Sequence, residues 1–130
     1  MATWRDLQAF IRSNYKISED TDDFFIILFE LGNLRSQLAF IQLVKGNSGA
    51  TEWVQISSPV GDIPLENIND ALERLDDKLC GGLVKIGTRH FVRHNLQLDD
   101  LSIDEFVVPL KVVVSSADEL EGAFIGGDDN

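Results

Sequence analysis

Residues 64–79, PLENINDALERLDDKL, set Leu65, Ile68, Leu72, Leu75 and Leu79 at the three-and-four spacing of one helical face, which predicts a helix. Three strand-like runs precede it and two follow it, so the pattern makes this the central helix, covering one face of a single sheet. Residues 24–31, FFIILFEL, are apolar at nearly every position, which suits a central strand covered on both faces. Gly32 and Asn33 can take the positive φ of a tight turn, after which residues 37–44 read as a second strand. A looser turn through Gly46, Asn47, Ser48 and Gly49 leads to residues 51–57, TEWVQIS. In that third strand Val54 and Ile56 share one side while Trp53, Gln55 and Ser57 share the other, so it should be wetter than the first. The three together predict an antiparallel meander.

The ends of the helices are marked in the same pattern. Thr3 followed by Asp6 is a weak form of the capping box, and Trp4, Leu7, Phe10 and Ile11 give a stripe for a first helix over residues 4–15. Residues 18–23, SEDTDD, read as a solvated linker. They do not make a calcium loop, because Phe24 and Phe25 stand where a third oxygen ligand and a turn glycine are required. Pro64 suits the first turn of the central helix, and Gly81 with Gly82 can end it in a left-handed conformation. Residues 83–86 and 91–96 then predict a hairpin across Gly87, Thr88 and Arg89. In the last segment pattern and propensity disagree. Val107, Val108, Val112, Val113 and Val114 favour a strand and Pro109 cannot donate a helical hydrogen bond. Ser102 and Glu105 nevertheless form a full capping box, Leu101 and Phe106 stand at staple positions, and Phe106, Leu110, Val113, Ala117 and Leu120 continue a helical face. The expectation is a last helix, kinked at Pro109. The fold class is therefore α+β, in the order α-βββ-α-ββ-α, with a five-stranded antiparallel sheet in one domain over residues 1–121 and a fraying acidic tail over 122–130.

Composition narrows the partners. The chain has 130 residues, near the commonest domain size, and its 44% hydrophobic and 25% charged residues are ordinary for a globular protein. A formal charge of −11, from 22 acidic against 11 basic side chains, repels phosphate, so nucleic acid and anionic membrane are not expected partners; basic partners are favoured instead, although the plainer reading is that the charge keeps a small protein soluble. Cys80, the single cysteine, cannot form an internal disulfide, and the N-terminus carries acid early without an apolar signal core; the cytoplasm is the expected compartment. No apolar run approaches the ~20 residues of a membrane-spanning helix.

Candidate chemistry is thin. His90 and His94 have the spacing of two metal ligands on a helix, but along a predicted strand they lie about 13 Å apart at ~3.3 Å per residue, too far for one ion. No metal is therefore expected, and structural or surface histidines are. Cys80, at a predicted helix end where the dipole raises thiol pKa, reads as a buried packing residue. Asp99, Asp100, Asp104 and Glu105 crowd a helix start, where capping and dipole account for them without catalysis. Gly81 and Gly82 lack the lysine and helix start of a phosphate loop. No catalytic residue, cofactor or partner-binding residue is assigned.

Four stretches carry a family resemblance: EWVQISSPVGDIP, INDALERLDDKLCGGLVKI, HFVRHNLQLDDLSIDEF and VVVSSADELE. They resemble the YbjN family, described as bacterial sensory transduction regulators, and the element order resembles the fold of class I type III secretion chaperones. The resemblance covers roughly residues 4–120 and consists of packing and capping patterns. It implies a non-enzymatic, dimeric binding protein, since secretion chaperones hold partly unfolded protein segments. Pro109 departs from it by interrupting a helix that such proteins run unbroken. No secretion system is indicated, so a dedicated effector-chaperone role is not implied. The leading expectation is a protein-binding module of chaperone-like or regulatory type, acting through an apolar surface or sheet edge. The alternative is a small enzyme or ligand-binding protein whose site gathers scattered carboxylates with His90 or His94. A homodimer is expected on physical grounds as well, because three helices compete for one sheet while FFIILFEL asks for cover on both sides.

Overall fold

The computed structural model describes residues 3–32, 34–46 and 51–125. The predicted turn residue Asn33, the loop residues 47–49 and the end of the tail, 126–130, lie outside them. Helix α1 (Trp4–Asn14) starts at Thr3, whose Oγ1 accepts the Asp6 backbone N–H at 3.1 Å. Strands β1 (Lys16–Asp20), β2 (Phe24–Leu31), β3 (Arg35–Lys45) and β4 (Glu52–Gly61) follow. A 3-10 turn (Leu65–Asn67) leads into helix α2 (Ile68–Arg74), then strands β5 (Gly82–Ile86) and β6 (Arg89–Gln97), and helix α3 (Ile103–Phe124). All strand pairs are antiparallel, and the sheet order is β1-β2-β3-β4-β6-β5.

The α+β class and the meander β2-β3-β4 agree with the sequence pattern, but the sheet has six strands among the described residues, not five. The extra one is β1, whose residues 18–20 belong to the stretch read as linker. It pairs with β2 at the sheet edge through a bulge between Ile17 and Glu19, and only Ile17 turns inward. An edge strand so polar carries no hydrophobic period to betray it. Consequently β2 is second from the edge rather than central. Its Phe25 and Ile27 are fully buried while Phe24, Ile26 and Leu28 are half-buried, so one face alone is covered.

Strand β4 runs four residues past the predicted end, through Pro59 to Gly61, and this extension is its most buried part. Pro59 is admitted because the β4–β6 register shifts between Pro59 and Gly61, a bulge where a missing N–H costs no ladder bond.

The larger correction concerns the helices. The helix read as central spans seven residues instead of sixteen, and only Ala71 on it is buried. Asn67 makes no side-chain cap, and Asp76 and Asp77 would put negative charge at the C-terminal end of a longer helix, against its dipole. The chain instead tightens after Arg74, with i−3 hydrogen bonds from Leu75 to Leu72, Asp76 to Glu73 and Lys78 to Leu75. Leu65, Leu72 and Leu79 are left 87%, 49% and 97% exposed.

Helix α3 takes the organising place. Ser102 and Glu105 exchange both bonds of the capping box, and the helix continues through Pro109 to Phe124, beyond the predicted boundary at residue 121. The helix forms despite its valines because Phe106, Leu110, Val113, Ala117 and Leu120 are all fully buried, lying across β3, β4 and β6. Helix α1 covers the other half of the same face. Trp4 packs on Phe25 at 5.8 Å between ring centroids, and Phe10 meets Phe106 edge-on at 6.4 Å.

Candidate functional site

The two histidines serve the backbone. On β6 they alternate with buried Val92 and face the covered side. His90 Nδ1 accepts the Ile63 N–H at 3.1 Å and His94 Nδ1 accepts the Gly81 N–H at 3.0 Å. Each ring therefore satisfies a loop donor that the sheet ladder cannot reach. Gly81 is suited to that approach: its φ is +91°, and a Cβ there would stand 2.9 Å from Val92 Cγ1. It is left-handed, as expected, yet it ends no helix, since α2 stops at Arg74. Neither histidine is hydrogen-bonded to a carboxylate.

Cys80 is half-buried in the irregular segment between α2 and β5, not at a helix end, so the dipole argument does not apply to it. Asp99, Asp100, Asp104 and Glu105 are all exposed at the start of α3. Hydrogen bonds from the Ser102 backbone and side chain hold the Glu105 carboxyl below its ordinary value. Among the described residues no three His, Cys, Asp or Glu side chains gather as a metal ion would need, and no helix is long and apolar enough to cross a membrane.

A charged cluster joins elements that are far apart in the chain. Arg35, opening β3, bonds Asp118 Oδ1 through Nε at 3.0 Å and Nη2 at 2.7 Å, and lies 3.6 Å from fully buried Glu121 on α3. Nearby in the strand, Gln37 Nε2 donates to Ser58 Oγ and the Pro59 carbonyl. Sequence reasoning missed these residues. No local pattern links positions 83 residues apart, and both sets tie α3 or β4 to β3 rather than line a cavity.

The open face of the sheet has more to offer. By register, Phe24, Ile26 and Leu28 on β2 stand beside Leu38, Phe40 and Val44 on β3, Trp53 on β4 and Phe91 on β6. No helix covers them. Phe24, Phe40 and Phe91 form a row with centroid spacings of 6.0 and 6.1 Å, which crosses β4 where the small Ser57 leaves room. A depression of about 230 Å³ lies between this row and the Gln42, Gln55 and Arg93 side chains. Arg93 Nε donates to Ser57 Oγ at 3.0 Å, fixing the polar side of that hollow.

The face is nearly neutral. Its register positions carry Glu19 and Glu30 against Lys16, Arg89 and Arg93, in a chain whose net charge is −11. Lys16 Nζ already pairs with Glu30 at 2.8 Å. Such a surface can exclude water against another apolar surface but aims no acid, base or nucleophile at a substrate.

No protein-family model matches this chain, and no curated protein matches it significantly.

Proposed function

We propose that this chain is a non-enzymatic protein-binding module of chaperone-like or regulatory type, acting as a homodimer in the cytoplasm. The observation that carries the reading is a six-stranded sheet with both long helices on one face and a row of aromatic and aliphatic side chains on the other. Contiguous apolar surface of this kind is uncommon on a monomer and marks an interaction site. Six strands at about 4.8 Å spacing span roughly 25 to 30 Å, and the eight residues of β2 run about 26 Å, so the whole face, polar positions included, has a footprint on the order of 700 Å². That is close to the ~800 Å² per partner of a standard stable interface. Repulsion between two chains of charge −11 opposes the encounter, yet salt screens it beyond ~8 Å, and the face itself is close to neutral. The YbjN and secretion-chaperone resemblance agrees with this reading, since the elements from β2 to α3 keep the order on which it rests.

Sedimentation equilibrium at micromolar concentration tests it. A dimer is expected, converted to monomer by Phe40→Glu, which places a charge in the centre of the aromatic row. A wild-type monomer would remove the dimer and the main physical reason for a protein-binding role.

A further inference from the structure

The outer surface of α2 is a second apolar region, separate from the sheet. Ala71 is buried and Ile68 and Leu75 are partly buried against the core, so the helix already has its inner contact. Leu65 and Leu72 remain outside it, 87% and 49% exposed. Leu65 and Ile68, with Pro64 and Ile63, line a cavity of about 530 Å³ beside His90 and Lys85, within the roughly 300–1,000 Å³ of ordinary binding pockets. Ile68 and Leu72, one turn apart, extend the apolar strip along the helix.

The segment that carries this strip is acidic. Asp62, Glu66, Asp70, Glu73, Asp76 and Asp77 are all exposed; Lys85 at the cavity is a single opposing charge, and the bases within residues 62–78 are Arg74 and Lys78. Both bases are engaged toward α3: the Arg74 guanidinium lies 5.3 Å over the Phe124 ring, and Lys78 Nζ lies 3.5 Å from Glu119 and 3.9 Å from Asp77. A second copy of this chain would bring acid against acid, and phosphate surfaces are repelled likewise. We infer that the Leu65–Ile68–Leu72 strip is the docking site for a basic amphipathic segment of another protein. Its apolar side chains enter the cavity and its lysines or arginines meet the carboxylates of residues 62–77. The inference deepens the protein-binding reading by stating the partner's chemistry, and it leaves the sheet face to the second copy.

The probe is a fluorescently labelled peptide of leucine and lysine at helical spacing, compared with a peptide of the same composition in scrambled order. Saturable binding to the full chain is expected, weakening as salt rises. Leu65→Ser with Leu72→Ser should weaken it about tenfold or more, with the sedimentation profile unchanged and the melting temperature lowered only slightly, since Leu65 is almost fully exposed and Leu72 about half exposed. The scrambled peptide should bind about as weakly to the unaltered protein. Equal binding of the two peptides would reduce the effect to charge, and equal binding by the double variant would place the site elsewhere; either overturns the inference. Loss of binding on Phe40→Glu but not in the double variant would assign the peptide to the sheet face, overturning this site while keeping the protein-binding reading. A monomer that still binds the peptide through Leu65 and Leu72 would keep this site and the protein-binding reading and remove the homodimer alone.

Discussion

The two faces of the sheet are built from the same kinds of residue and end differently. On the covered face Phe25, Ile27, Ile41, Val54 and Ile56 are fully buried under α1 and α3. On the open face Phe24, Ile26, Leu28, Leu38 and Phe40 are only half-buried, shielded by one another. Strands β2 and β3 are therefore apolar on both sides, one side covered by the chain's own helices and the other left open. An apolar strand face calls for cover, and the number of helices available decides whether the chain supplies it.

The most forceful way to break this contrast is to delete one phenylalanine from each face. Phe106→Ala removes a fully buried ring between α3 and α1 and should cost about 3 to 5 kcal/mol in denaturant unfolding. Phe40→Ala removes a ring that still touches water and should cost less than about 2 kcal/mol of monomer stability. Its main effect belongs to sedimentation, where the proposed dimer should dissociate at lower dilution. Equal losses of stability would mean that the open face is a second core.

A middle-sized effect tests how the edges of the covered face are closed. His90→Ala leaves the Ile63 N–H buried without its acceptor, a loss of about 1 to 3 kcal/mol. His90→Asn, offering an amide oxygen, should recover part of it. A thermal melt of the two variants side by side measures the difference, and identical melts would deny the ring its role as acceptor.

The same contrast explains which parts of the fold were legible in the sequence. Helix α3 was, because its information is local: Ser102, Glu105 and the staple pair mark its start, and a face repeating from Phe106 to Leu120 outweighs the strand preference of five valines. The hairpin β5–β6 and the meander were legible from their turns. Helix α2 misled, since Leu65, Leu72 and Leu79 keep a helical period without being inside. Period reports that a face is apolar, and says nothing about whether the chain itself covers it. Strand β1 was hidden because an edge strand can be polar throughout. The Arg35–Asp118–Glu121 cluster depends on how α3 lies against β3, and the aromatic row on register between strands; no single segment encodes either. The roles of His90 and His94 as acceptors were legible only as the absence of anything better to do.

The smallest expected effects concern the start of α3, which fastens the covering layer. Ser102→Ala removes the acceptor for the Glu105 N–H and should cost about 1 kcal/mol, with α3 remaining helical in circular dichroism. Glu105 provides the reciprocal half. Its carboxylate accepts the Ser102 N–H at 2.9 Å, and this bond holds its folded pKa below the ordinary 4.5. A carboxyl whose pKa is lowered on folding contributes stability that is fully present above the unfolded value and is lost as pH falls through the folded one. Glu105→Gln keeps an oxygen for the same N–H but cannot titrate. The gap in denaturant midpoint between the native protein and this variant should therefore be widest near neutral pH and close progressively below about pH 4.5. Asp20 and Glu30, lowered by Arg12 and Lys16, titrate in the same window in both proteins and cancel from the comparison. A gap that did not change with pH would show that the bond from Ser102 owes nothing to the carboxylate charge, and the capping box would then act through geometry alone.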